Sequence, residues 1–283
     1  MRRIVPLLVL PVLLTAACGG QGSPPAEGPA NVYRPDEVVL RVESVGGFVP
    51  VEYMLTRMPD LSIYGDGRVV TPGITTMIYP GQALPAMVQA RLSADAVDQL
   101  VRLAVEAGVG AMEDYGMPPV ADVPDSHFLV VSNHGVREST VYALEFDGPD
   151  LTEAQKQARQ KLKDLYAQLT ALSTTVGADK YLDEGTYQAH AMAVFARPWS
   201  GDIEPDMPQA PRDWPGPALP GEPLSQTPIE GLGCLTVTGP ELATVLETAS
   251  AANALTPWVW QGQRYQLMFR PLLPEESSCA DLG

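Results

Sequence analysis

From Leu151 to Leu172, seven apolar residues (Leu151, Ala154, Ala158, Leu162, Leu165, Leu169 and Leu172) recur at intervals of three and four. That spacing predicts a helix over 152–172 with one continuous apolar face. Thr152, followed three residues later by Gln155, supplies a capping box for its first turn. The other face mixes Lys156, Lys161 and Lys163 with Glu153 and Asp164, so the helix is expected on a sheet or a second helix rather than on a membrane surface. A helix so striped needs a partner layer, and the flanking sequence offers short strands for it.

A first segment, 37–176, carries most of those strands. Val38-Val39-Leu40-Arg41-Val42 begins one, Val51 to Leu55 reads as a second, and Ile74 to Tyr79 as another. Leu61-Ser62-Ile63-Tyr64 and Arg68-Val69-Val70-Thr71 flank Gly65-Asp66-Gly67, a hairpin signal. With Asp66-Gly67 as a two-residue turn, Tyr64 is expected opposite Val69. Ser93 is placed to open a helix striped by Val97, Leu100, Val101 and Ala104, which Gly108 ends. Phe128–Val131 and Val136–Leu144 form a further hairpin around Asn133-His134-Gly135.

The second segment, 177–283, alternates as a strand over 187–196. Nine prolines then fall in the 33 residues 198–230, a run expected to wrap or link rather than to form periodic structure. Order returns with a strand over Cys234–Val237, a helix after Pro240 striped by Leu242, Val245, Leu246 and Ala249, and a hairpin over Trp258–Arg270. With Gly262-Gln263 as its turn, Trp260 faces Tyr265 and Trp258 faces Leu267, preferable to Gln261-Gly262, which sets Trp260 against Gln263. The alternation lacks the spacing of parallel βαβ units. The expected fold class is α+β: antiparallel sheets covered by amphipathic helices, the two segments sharing one sheet or forming two.

The first twenty residues bear on location. Arg2 and Arg3 precede an apolar run, Ile4 to Ala17, which is too short to span a bilayer and ends in small residues before Cys18. Leu14-Thr15-Ala16-Ala17-Cys18 resembles the end of a bacterial lipoprotein signal peptide, with Thr15 standing where Leu is commoner. The resemblance implies removal of 1–17, diacylation of Cys18 with palmitate-type chains, and attachment to the extracytoplasmic face of the cell membrane. Two acyl chains suffice for stable anchoring, at about 0.8 kcal/mol per buried methylene. Residues 18–36, rich in Gly and Pro, then read as a flexible leash.

Residues 1–17 contain two basic residues and no acid, so the remainder carries 34 acidic against 16 basic residues, a balance of −18. Such a balance argues against nucleic acid as a partner and against a second contact with anionic lipid. In an exported chain the other two cysteines, Cys234 and Cys279, without CxxC spacing, are expected to form a disulfide.

Assembled chemistry is sparse. Asp122-x-x-Asp125-x-His127 offers three metal donors on one loop, but a loop rarely orients three unaided, and it reads better as a turn entering a strand, so no metal or other cofactor is expected. Asp147-Gly148-Pro149-Asp150 lacks the alternating oxygens of an EF-hand, Gly65-Asp66-Gly67 precedes no helix, and Trp199-Ser200-Gly201 is not a nucleophile elbow. The aromatic row of the last hairpin, Trp258, Trp260 and Tyr265, is commonly core; its sharper reading is a platform for a protein or glycan ligand.

Gly46-Gly47-Phe48, the helix opened at Leu92-Ser93, and Asp125…Phe128-Leu129-Val130-Val131 with the following Val136–Leu144 together resemble the emfourin-type protease-inhibitor domain across residues 37–145. The hairpin at Asp66-Gly67 and the long helix are additions to that pattern, and no inhibitory residue carries over. The resemblance implies a binding module. The sequence thus leads to an anchored, non-catalytic binding or inhibitor lipoprotein. The alternatives are a cell-envelope hydrolase using dispersed carboxylates, or a structural or assembly lipoprotein.

Overall fold

Seven strands form the first sheet of the protein, in the order β6-β5-β1-β2-β3-β4-β7, every neighbouring pair antiparallel. They are β1 (Val38–Val45), β2 (Leu61–Tyr64), β3 (Arg68–Pro72), β4 (Met87–Leu92), β5 (Asp125–Ser132), β6 (Gly135–Tyr142) and β7 (Tyr181–Thr186). The computed structural model describes residues 32–201, 204, 206–224 and 229–282. The segment 1–17, Cys18 and the leash up to residue 31 lie outside the described residues, as do 202, 203, 205 and 225–228 of the Pro-rich run.

One face of this sheet lies beneath helices α2 (Ala94–Glu106), α3 (Glu153–Thr170) and α4 (Leu172–Val176). Leu40, Val42, Leu61, Ile63, Val69, Phe128, Val130 and Val141 meet Val97, Leu100, Val101, Leu162, Leu165 and Leu169 in one core. The long helix starts as its sequence requires: Gln155 N–H donates to Thr152 Oγ1 at 3.3 Å, and Thr152 N–H donates to Gln155 Oε1 at 2.8 Å. Its apolar stripe has one exception. Ala154 is exposed, and Arg159 is fully buried in the turn that follows. Helix α2 ends at Gly108, φ +95°, where Gly108 N–H donates to Val105 O and Val109 N–H to Ala104 O; this pair of bonds satisfies the last carbonyls of the helix.

The second sheet, in the order β10-β11-β8-β13-β12-β9, contains β8 (Ala191–Pro198), β9 (Arg212–Asp213), β10 (Glu222–Pro223), β11 (Gly233–Thr238), β12 (Trp258–Trp260) and β13 (Gln263–Pro271). It is antiparallel apart from the short parallel pair β12–β9. Helix α5 (Gly239–Ser250), opened by Pro240, covers one face over Met192, Val194, Val237, Trp258, Leu267 and Phe269. The other face holds Ala193, Phe195, Cys234 and Leu272 against Leu55 of the short helix α1 (Val51–Thr56) and Leu282 near the C-terminus. The two sheets belong to one unit, and Tyr64, Val70, Met87, Tyr187 and Leu273 pack between them.

Several expectations change on contact with this architecture. Val51–Leu55 is helical, not extended: Pro50 opens the turn, and none of its residues is fully buried. Ile74–Tyr79 is an exposed loop; Pro72 and Pro80 bracket it, and the next strand begins only at Met87. The β2–β3 connection is a three-residue loop in which Gly67, φ +84°, takes the left-handed position, so Ile63 pairs with Val69 and the register moves by one. In the last hairpin Gln261 and Gly262 both have positive φ, +50° and +78°, which sets Trp258 opposite Tyr265 and Trp260 opposite Gln263. That register differs from the expected one by two residues, so the same side chains share the inward face. The division at 176/177 does not coincide with a sheet boundary either, because β7 completes the first sheet beside β4.

Candidate functional site

The strand registers give the first sheet two distinct ends. Val38, Tyr64, Arg68, Leu92 and Tyr181 mark one; Val45, Leu61, Pro72, Met87, Thr186 and Asp125 mark the other. The chain enters at the first end. Gly65 N–H donates to Glu37 O and Asp66 N–H to Pro35 O, and a Cβ at Gly65 would collide with the Arg34 carbonyl, so this turn is closed over by the incoming segment.

The opposite end carries most of the exposed large apolar side chains near this sheet. Phe48, Tyr53 and Met54 come from the β1–β2 connection, and Ile74, Met77, Ile78 and Tyr79 from the β3–β4 loop. Ile74 and Met77 are almost fully exposed, at 99% and 101%. No charged residue occurs between Arg68 and Arg91. The loop is nonetheless anchored at its base: Gly73 N–H donates to Ala86 O at 2.8 Å, Ala83 N–H to Ala252 O at 3.2 Å and Ala254 N–H to Gly81 O at 2.9 Å. These side chains belong to none of the buried core clusters and leave an exposed apolar surface at this end of the sheet.

Between the two connections lies a cleft of about 670 Å³, lined by Ser44, Val49, Pro50, Tyr53, Thr56, Arg57, Met58, Asp60, Pro72, Gly73, Thr75, Pro85, Ala86, Met87 and Pro124. Arg57 builds its wall. Its Nη1 donates to Ser44 O at 2.9 Å and to Gly46 O at 3.0 Å, and its guanidinium lies 4.9 Å from the centre of the Tyr53 ring. Gly47 has positive φ and its Cα sits against Pro124, so this close approach favours a residue without a side chain. Helix α1 is tied to the second sheet by Glu52 and Arg197, 2.8 Å apart.

Asp60 is the carboxylate that faces this space. Ser44 Oγ donates to its Oδ2 at 3.4 Å, and no cation lies within 4 Å among the described residues. Burial pushes its carboxyl above the ordinary 3.8, a shift that the Ser44 hydrogen bond and the charge of Arg57 oppose and that nearby Glu43 reinforces. Glu43 itself is engaged by His127, Nδ1 to Oε1 at 3.1 Å. Among the described residues the cleft therefore combines largely apolar walls, an arginine held through Nη1 with its Nε unpartnered, and one carboxylate without an ion pair.

The residues singled out from sequence are distributed otherwise. Cys18 lies outside the described residues. Cys234 and Cys279 form a disulfide with Cα atoms 6.1 Å apart, closing 45 residues of chain on the second sheet. The aromatic row is not a platform. Trp258 and Tyr265 are 1% and 5% exposed, and Trp258 packs edge-on against Trp214 at 5.9 Å and near Phe269 at 5.6 Å, beneath α5. Trp260 packs half-buried on the same core. Burying such surface stabilises the sheet more than exposing it for a ligand would allow. Among the described residues no group of three or more His, Cys, Asp or Glu is arranged to hold a metal. His127 of the weighed Asp122/Asp125/His127 loop is turned to Glu43.

Sequence reading missed Tyr53, Arg57, Asp60 and the exposed β3–β4 loop. The signal for the loop was present: 22 consecutive uncharged residues, broken by Pro72, Pro80 and Pro85, in a chain of net charge −16. No protein-family model, curated protein or solved structure matches this chain.

Proposed function

We propose that the protein is a lipoprotein, anchored through Cys18 to the extracytoplasmic face of the cell membrane, that acts as a non-catalytic binding or inhibitor module. The observation that carries this reading is the cleft together with the exposed apolar side chains around it, at the end of the first sheet opposite the one where β1 begins. Exposed apolar surface of this kind is available to a protein partner in the surrounding compartment. The sequence at Leu14–Cys18 and the acidic balance of the body support the location, and the emfourin-like pattern across 37–145 supports binding over chemistry.

Two measurements test the reading separately. Labelling cells with an alkynyl fatty acid should mark the wild-type chain, and Cys18→Ala should abolish the label and shift the protein to the soluble fraction. A photo-crosslinking residue at Tyr53 or Met77 should give discrete protein adducts in whole cells. The same residue at Leu182, exposed at the other end of the first sheet, should not. Equal adduct patterns at all three positions would remove the cleft from consideration.

A further inference from the structure

We propose that the cleft recognises one basic side chain, arginine or lysine, presented by an extended segment of a partner protein. The inference rests on the reading of the cleft as a binding surface and adds what it selects. Much of its wall is aliphatic or cyclic, from Val49, Pro50, Met58, Pro72, Pro85 and Met87. Against these walls stands the carboxylate of Asp60, whose side-chain hydrogen bond among the described residues is the 3.4 Å contact from Ser44. A long methylene stem with a cationic tip matches both requirements at once, since lysine and arginine bury their stems along apolar surface while the head finds a carboxylate.

Among the described residues no cation closes to within 4 Å of Asp60: Arg57 donates through Nη1 to two backbone carbonyls and lies over Tyr53, its charge acting on Asp60 only from a distance, and Arg197 is paired with Glu52. A neutral apolar side chain in the cleft would desolvate Asp60 without pairing it, and an acidic one would be repelled by Asp60 and by the net charge of −16. Residues 19–31 of the leash offer no such side chain, since they contain no lysine or arginine. Tyr53 of the cleft wall, with Phe48 and Ile74 next in sequence to lining residues, leaves exposed apolar side chains beside the cleft, so the ligand carries apolar neighbours beside its basic residue, as a protein segment does.

The test uses the full chain in detergent micelles and a fluorescent pentapeptide series, Ala-Leu-X-Phe-Ala with blocked ends, where X is arginine, lysine, citrulline, norleucine or glutamate. Fluorescence anisotropy should give at least ten-fold tighter binding for arginine and lysine than for citrulline and norleucine. Asp60→Asn should erase that preference while leaving citrulline binding in place. Citrulline is isosteric with arginine, so the wild-type comparison stands even where a variant is unstable. Binding of citrulline as tight as that of arginine, or an unchanged preference in Asp60→Asn, overturns the inference. Should norleucine bind as tightly as arginine, and Tyr53→Asp weaken both, the cleft survives as a binding surface and its charge selectivity does not. Failure of every peptide, together with no crosslink at Tyr53, removes both.

Discussion

Tyr64 donates its hydroxyl to Glu275 Oε2 at 2.8 Å, across 211 residues of sequence. The same carboxylate pairs with Arg41, whose Nε donates to the buried Ser62 at 3.0 Å. These groups sit where the two sheets meet, and burial, followed by the charge of Glu275, pushes the Tyr64 hydroxyl far above its ordinary value. Glu275 thus joins the C-terminal segment to the first sheet with a charge that Arg41 cannot easily find elsewhere. Glu275→Ala is expected to destabilise by about 2 kcal/mol, because it leaves a partly buried guanidinium unpaired. The paired replacement Arg41→Met with Glu275→Leu should recover most of that loss. Urea denaturation of the two variants decides; equal losses would mean the pair is not coupled.

Arg159 is fully buried on α3, and among the described residues no carboxylate reaches it within 4 Å, Asp147 and Glu145 acting on it only from a distance. Its guanidinium donates instead to four backbone carbonyls, those of Tyr115, Tyr142, Ala143 and Phe146. Ala143 adopts φ +46° and is itself buried, so the chain bends sharply where it meets the guanidinium. Arg159→Ala should cost about 3 kcal/mol, since the carbonyls lose a charged donor and water cannot replace it. Arg159→Lys should fall between, its three donors being unable to span the same fork. A thermal melt within a degree of wild type for Arg159→Ala would refute this.

Cys234–Cys279 closes a loop of 45 residues. On the chain-entropy account such a closure stabilises by about 4 kcal/mol. The double variant Cys234→Ala/Cys279→Ala should lose a comparable amount, and wild type under reducing conditions should match it. Guanidinium unfolding with and without reductant measures both. The helices over the first sheet carry neither cysteine, so a reductant effect of the same size on a C-terminally truncated chain would point to some other cause.

The Asp60 carboxyl is raised above 3.8 in the folded protein, mainly by burial. The folded state therefore holds this proton more tightly than the unfolded chain. Its contribution to stability is complete below pH 3.8 and is lost as pH rises through the higher folded value. Asp60→Asn should accordingly melt at higher temperature than wild type at pH 7, and the gap should close as pH falls toward 3.8. A gap that widens on acidification would reverse the assigned sign. A residue that costs stability while facing an open cleft is one whose charge serves something besides the fold.

Much of the architecture was legible because it follows local rules. The stripe and cap of α3, the glycine stop of α2 and the β5–β6 turn at Asn133-His134 each depend on residues within one or two turns of one another. The hairpin registers were less accessible. A shift of two leaves the inward set Trp258, Tyr265, Leu267 and Phe269 unchanged, so hydrophobic alternation could not separate the registers, and the positive φ of Gln261 decided the matter. Ile74–Tyr79 misled for the opposite reason: it has the composition of a strand but no partner strand, and only tertiary structure reveals that. The candidate site was the least visible part. Asp60 and Arg57 come from one connection, Pro85 from another and Met87 from the strand that follows it, and no spacing within the chain announces their meeting.

The crossing of β7 into the first sheet has a practical consequence. The strand leaves the helical layer at Val176, pairs with β4 over Tyr181–Thr186, and only then does the chain proceed to the second sheet. A fragment stopped at 176 would expose the edge of β4 as an open template for other chains. A chain nicked in the Gly177–Lys180 turn would behave differently: its C-terminal piece would still donate the missing strand, and the halves would stay together as a complemented pair until denatured. Any dissection of this protein therefore works better as a split pair than as two excised domains.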